Sequence, residues 1–176
     1  IWVKTRDAPG AWGVYHKGLN GGTNPETHYL LLNSTNAEAD GAMFSDLAPT
    51  SSHFFVGNFG ESNNDGKDMI AMLFASVDGI SKVGYYDGSD SAQTITTGFQ
   101  PRFLIVKNIG ESSGWYVLDT TRGWASGNDQ ALVLDDTTAQ TNSYDFGAPT
   151  STGFTLTGDN YRWNEASKKY IYYAHA

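Results

Sequence analysis

Apolar residues come in short bursts separated by polar, glycine-rich stretches. IWVK, AWGVYH, HYLLLN, HFFVGN and MIAMLFA punctuate the first part of the chain, and FLIVKN, GWYVLD, QALVLD, GFTLTGD and KYIYYAHA the last. Bursts of this length, bounded by Gly, Pro, Asn and Asp, read as β-strands joined by turns. In AWGVYH, Trp12, Val14 and His16 share one face, and Gly13 and Tyr15 the other. The runs IWVKT and FLIVKN barely alternate, which predicts strands buried on both faces or at the centre of a sandwich. No stretch holds a sustained 3.6-residue apolar period with caps, so almost no helix is expected.

The bursts occur twice in the same order. Lys4 and Trp12 reappear as Lys107 and Trp115, both at an offset of 103 residues. LLLN from Leu30 reappears as LVLD from Leu132 at an offset of 102, and APTSSHFFVGN as APTSTGFTLTGD at 100, pairing Pro49 with Pro149 and Phe54 with Phe154. MIAMLFA matches YIYYAHA at 101, pairing Ile70 with Ile171 and Ala75 with Ala176. Four blocks in register imply an internal duplication. Residues 1–75 form the first unit, 76–103 a connecting hairpin around Asp87-Gly88, and 104–176 the second unit. The fold class expected is all-β: an antiparallel β-sandwich or barrel of two tandem units with approximate two-fold symmetry around one core.

Composition narrows the functional classes. Only 17% of the 176 residues are charged, and the net charge is −8. There is no run of Lys or Arg, which argues against nucleic acid and against a basic membrane-surface helix. No apolar stretch is long enough for a helical membrane span. Cysteine is absent, so disulfides and thiolate zinc sites are excluded.

The search for chemistry yields no catalytic residues: GxSxG, HExxH, P-loop and dinucleotide fingerprints are all missing. His16, His28, His53 and His175 show no metal-ligand spacing, so no metal site is assigned to them. Asn63, Asp65 and Asp68 flank Gly66 as oxygen ligands of a Ca²⁺ loop would, but the closing bidentate Glu is absent and Lys67 interrupts the set. A polar hairpin turn is the favoured reading there, and no cofactor is expected. A glycosidase would need two facing carboxylates in a cleft, and no pair stands out. Aromatics make up 14% of the chain. Trp12 and Trp115 occupy equivalent places and read as core. Trp124 and Trp163 have no aromatic counterpart in the first unit and sit in turn-like contexts. With Tyr161 and Arg162 they form the expected binding surface, suited to stacking on sugars or to protein contacts. Anchoring of the loop is the alternative for the same residues.

The segment Gly98-Phe99-Gln100-Pro101-Arg102-Phe103-Leu104-Ile105-Val106-Lys107, with VGYYDGSD before it and TSTGFTLTGD and YIYYAHA after it, resembles repeat domains of tailed-bacteriophage virion proteins, particularly of marine and cyanophage type. The resemblance spans both units. It implies a virion component in a tail, fibre or capsid surface, located on the particle. Its partners would be other virion protein copies, in a homo-oligomer, with a host-surface glycan as a further target. It transfers no catalytic residue. In this pattern a GFxP turn precedes each IVK strand, so the natural chain is expected to continue upstream of Ile1. The leading expectation is a non-enzymatic structural or host-attachment domain. The alternatives are a lectin-like carbohydrate-binding module and a fragment of a polysaccharide-degrading hydrolase.

Overall fold

The computed structural model describes residues 1–158 and 160–176. In chain order the strands are β1 (Trp2–Thr5), β2 (Gly13–Val14), β3 (His28–Leu31), β4 (Ala39–Asp40), β5 (Met69–Met72), β6 (Ser81–Asp87) and β7 (Gln93–Thr96). They continue with β8 (Phe103–Asn108), β9 (Trp115–Asp119), β10 (Asp129–Val133), β11 (Thr141–Tyr144), β12 (Pro149–Thr150), β13 (Gly153–Leu156) and β14 (Lys169–His175). Helix among the described residues is confined to short 3-10 turns, so the fold is all-β. All strand pairs are antiparallel.

Three sheets result. The first has the order β4-β3-β2-β1-β5, the second β11-β10-β9-β8-β14-β6, and the third β12-β13-β7. In each of the two larger sheets, successive strands run as a meander and a later strand returns to pair with the first of them. Register follows the apolar pattern. Trp2 faces Val14 and Met72 on its two neighbours, and Lys4 faces Ile70. In the second sheet Ile105 faces Val117 and Tyr173, and Lys107 faces Ile171. A slip of one residue would turn every apolar side chain to the wrong face, so this register is strongly fixed.

Burial sorts into three clusters. Val14, Leu19 and Leu30 of the first sheet and its loops meet Ile105, Trp115, Val117 and Ile171 of the second. The opposite face of the second sheet, with Leu104, Val106, Tyr116, Leu118 and Tyr172, packs against Phe154 and Leu156 of the third sheet and against Trp124, Phe146 and Trp163 from loops. A smaller cluster of Val3, Tyr15, Met43 and Phe44 covers the outer face of the first sheet. Each large apolar side chain so buried contributes about 1.5–3 kcal/mol. The second sheet is thus buried on both faces. That explains the unbroken FLIVKN run, all of it buried except the half-exposed Phe103.

Lys107 stays inside by satisfying its ammonium group. Nζ donates to the carbonyl oxygens of Asn108 and Ser113 at 2.8 Å and of Thr35 at 3.2 Å. Burial pulls its pKa down from 10.5 to about 8, opposed by the charges of Asp135 and Glu111.

One expected strand does not form. HFFVGN, residues 53–58, makes no ladder, whereas GFTL, residues 153–156, forms β13 and pairs with β7. A strand needs a partner, and β7 faces only Gly153–Leu156.

Candidate functional site

Two cavities and one loop carry the candidate chemistry. The larger cavity, about 380 Å³, opens between the first and second sheets. Its wall is apolar and aromatic. Trp2 and Phe74 lie 4.7 Å apart between ring centres, and Phe74 and Tyr173 5.1 Å. Ile105, Trp115 and Ile171 form its floor. His16 stands on the wall. Its Nδ1 accepts the Gly18 N–H at 3.0 Å, so the proton sits on Nε2, which donates to the Tyr172 carbonyl at 3.2 Å. Desolvation drives its pKa down from 6.5 to about 3, and the neutral ring serves as a hydrogen-bond bridge between the sheets. Leu73, 64% exposed, stands at the mouth.

The smaller cavity, about 350 Å³, is polar and is lined by Thr35, Ser113, Tyr116, Asp135, Asp136 and Tyr161, among others. Asp135 Oδ1 accepts the Trp115 N–H at 2.7 Å and so fixes the carboxylate. Its Oδ2 and the hydroxyl of Ser113 are buried with no hydrogen-bond partner among the described residues. Buried polar groups are normally satisfied, so these two atoms, themselves closed to solvent, are unsatisfied polar groups behind the cavity wall.

The loop at residues 160–165 adjoins this cavity. Asn160 Oδ1 accepts the Arg162 N–H at 3.0 Å, which closes the turn. The Tyr161 carbonyl accepts from Asn108 Nδ2 at 2.6 Å and from Tyr170 Oη at 3.0 Å. Arg162 Nε donates to Tyr116 Oη at 2.9 Å, and its guanidinium lies 4.3 Å from the ring centre of Tyr161 and 4.6 Å from that of Tyr144. Tyr161 is 38% exposed.

The four residues expected to bind together separate into two groups. Tyr161 and Arg162 stay at the surface, beside the polar cavity. Trp124 and Trp163 are each only 2% exposed. The Trp124 indole donates to the Gly147 carbonyl at 2.9 Å, and that of Trp163 to Thr157 Oγ1 at 3.1 Å. Their ring faces are used up against Phe154 and Phe146. The expectation of exposed tryptophan platforms is therefore corrected, and loop anchoring is what these two rings do. Turn-like flanking sequence does not reveal that a ring folds back beneath a strand.

Asn63, Asp65 and Asp68 lie in the turn ahead of β5, where the Asp68 carbonyl accepts the Arg6 N–H at 2.8 Å. Among the described residues no group of three or more His, Asp or Glu side chains converges as a metal site would require. No helix among them is long and apolar enough to cross a membrane. Sequence reasoning missed the apolar cleft and the polar cavity that Ser113 and Asp135 both line. The residues of each lie far apart in the chain, and the one available signal was the equivalence of Asn33 and Asp135, both of which take a tryptophan N–H.

The profile of one protein family, described as the domain of unknown function DUF7483, matches residues 1–176. The chain belongs to the DUF7483 family. No curated protein and no solved structure matches it. Membership of DUF7483 brings no activity with it, so a functional reading rests on the surfaces described above.

Proposed function

We propose that this DUF7483 chain is a non-enzymatic binding and assembly module of a virion, built as a β-sandwich from two tandem copies of one unit. The observation that carries the functional part is where the exposed apolar side chains lie. Ile70, Met72, Leu73, Val77, Ile80 and Tyr85 fall between residues 70 and 85, on β5, on β6 and on the segment joining them, with Leu73 on the wall of the apolar cleft, while Leu47, Leu134 and Tyr161 are exposed elsewhere. Such a patch on a chain this acidic marks a contact surface.

Register supports the two-unit part. Lys4 opposite Ile70 corresponds to Lys107 opposite Ile171, Trp2 opposite Val14 to Ile105 opposite Val117, and Val14 opposite Leu30 to Val117 opposite Leu132. The order β4-β3-β2-β1-β5 corresponds strand for strand to β11-β10-β9-β8-β14. The cluster formed by Val14, Leu30, Val117 and Ile171 would be the shared core of the sandwich.

Sedimentation over a range of concentrations tests the assembly reading. Association is expected for the parent chain and is expected to weaken in Val77→Asp/Ile80→Asp, which leaves both ladders intact. A chain that stays monomeric throughout, and that meets no partner through this patch, would remove the reading.

A second reading, carbohydrate binding, is favoured by the polar cavity that Ser113, Asp135 and the exposed Tyr161 line. A carboxylate, a hydroxyl and an aromatic face together suit a sugar. Glycan-array binding that is lost in Ser113→Ala and Tyr161→Ala would support it, and an array without signal would end it.

A further inference from the structure

The hairpin linking the two units is laddered to the second unit, while its Tyr85 side chain also lies against Gly18 and Gly22 of the first. β6 pairs with β14 along its whole length, from Lys169 opposite Asp87 to His175 opposite Ser81. The tip that follows is locked by Asn164. Asn164 Oδ1 accepts the Ser89 N–H at 2.8 Å, its Nδ2 donates to the Ser91 carbonyl at 3.0 Å, and the Ala166 N–H reaches Asp90 Oδ1 at 2.9 Å.

The first unit presents the same seat without an occupant. β5, which corresponds to β14, ends its sheet. Ile70 of β5 is 38% exposed, while its counterpart Ile171, 2% exposed, packs in the cluster between the sheets with Leu19, Ile109 and Trp115. The turn that carries the anchor is also conserved in geometry. The Asn164 N–H donates to the Asn160 carbonyl at 2.8 Å, and the Asn63 N–H donates to the Phe59 carbonyl at 2.7 Å. Asn164 is fully buried by the hairpin tip, whereas Asn63 is exposed.

From these correspondences, and resting on the two-unit reading above, we infer that the β5 edge together with Asn63 is a docking site for a β-hairpin equivalent to Ser81–Thr96, supplied by another unit of the same repeat. The occupant pairs antiparallel with Met69–Met72. It covers Ile70 and Met72 and gives its tip to Asn63, as Ser89 and Ser91 are given to Asn164. An unpaired edge offers a row of donors and acceptors that a strand of this kind satisfies. The neighbouring seat for β7 is altered. Gly153, which lets the Ile95 backbone approach closely, is replaced by His53 in the first unit. The β6-type strand and the tip therefore make the main contacts, and the β7-type strand docks loosely.

The test places a second copy of residues 76–103 ahead of Ile1, the position those residues hold ahead of Leu104. Amide exchange is then read by mass spectrometry on the extended chain, on the parent, and on an extended chain carrying Asn63→Ala. Exchange over Met69–Met72 is expected to slow roughly tenfold or more on extension. The gain should shrink in Asn63→Ala, and that substitution should leave exchange unchanged in the parent. Unaltered exchange over β5 in the extended chain, read at a concentration where the parent is monomeric, would overturn the proposal. The parent alone separates this failure from failure of the two-unit reading. Slow exchange along β14, which is laddered on both sides, together with fast exchange over Met69–Met72 keeps the correspondence whatever the extended chain shows, and fast exchange along β14 removes the register on which it rests.

Discussion

Trp115 Nε1 donates to the backbone carbonyl of Leu31 at 3.1 Å. A side chain of the second sheet thus satisfies a backbone group of the first, within the cluster that joins them. Trp12, its counterpart in sequence, is only partly buried. Trp115→Ala is expected to cost about 3–5 kcal/mol through lost burial and the cavity left behind. Trp115→Phe should cost about 1 kcal/mol, because the indole hydrogen bond is lost while the Leu31 carbonyl keeps the Ser34 N–H at 3.3 Å. Trp12→Ala should cost clearly less than Trp115→Ala. Urea unfolding of the three variants checks the ranking.

Lys107 makes alkaline stability a readout of the core. Its folded pKa of about 8 lies below the unfolded value of 10.5. Between these values the unfolded chain holds more protons, so this group makes stability rise with pH. Lys107→Met is expected to flatten that rise between pH 8 and 10. At pH 7 the variant should lose about 1–3 kcal/mol, because the carbonyls of Asn108 and Ser113 lose the ammonium donor, while that of Thr35 keeps the Ser113 N–H. Denaturation midpoints against pH, parent and variant side by side, would show both effects.

His16 acts at the other end of the pH scale. Its folded pKa is depressed to about 3 from an ordinary 6.5, so the unfolded chain binds the proton first as pH falls. The stability contributed by the neutral ring is present above pH 6.5 and is lost progressively toward pH 3. Protonation also removes the acceptor for the Gly18 N–H. His16→Gln should therefore make melting temperature less dependent on pH across this window, and thermal melts between pH 3 and 7 check it.

Trp163 and Tyr161 are two residues apart in sequence and should behave oppositely. Trp163→Ala is expected to cost about 3–5 kcal/mol, because its ring packs on Phe146 with 4.1 Å between centres. Tyr161→Ala should leave stability within about 1 kcal/mol, yet abolish any saccharide binding at the Ser113–Asp135 recess. Chemical denaturation and a glycan-binding assay separate the two roles.

Much of the fold was legible because the apolar bursts are short and their flanking turns are rich in Gly, Asn and Asp. The strand at Phe103–Asn108 follows directly from FLIVKN, and the all-β class from the absence of helical period. HFFVGN was misread as a strand because its apolar content matches GFTLTGD, while ladder formation depends on β7, which lies elsewhere. Trp124 and Trp163 were misread for a related reason. Local polarity describes the backbone of a turn and says nothing of where a long ring reaches. The cleft by Trp2, Phe74 and Tyr173 brings together residues from the two ends of the chain, a juxtaposition that no local pattern encodes.

The two return strands also differ in how they would carry mechanical load. β14 lies between β8 and β6 and is laddered on both sides, whereas β5 is held on one side only, by β1. Tension along β14 must shear two ladders at once, so the second sheet is the stiff element. Tension reaching β5 meets a single short ladder, from Met69 opposite Thr5 to Met72 opposite Trp2, and that ladder should yield first. Under load the chain would have a built-in order of failure, with the bare edge as its fuse.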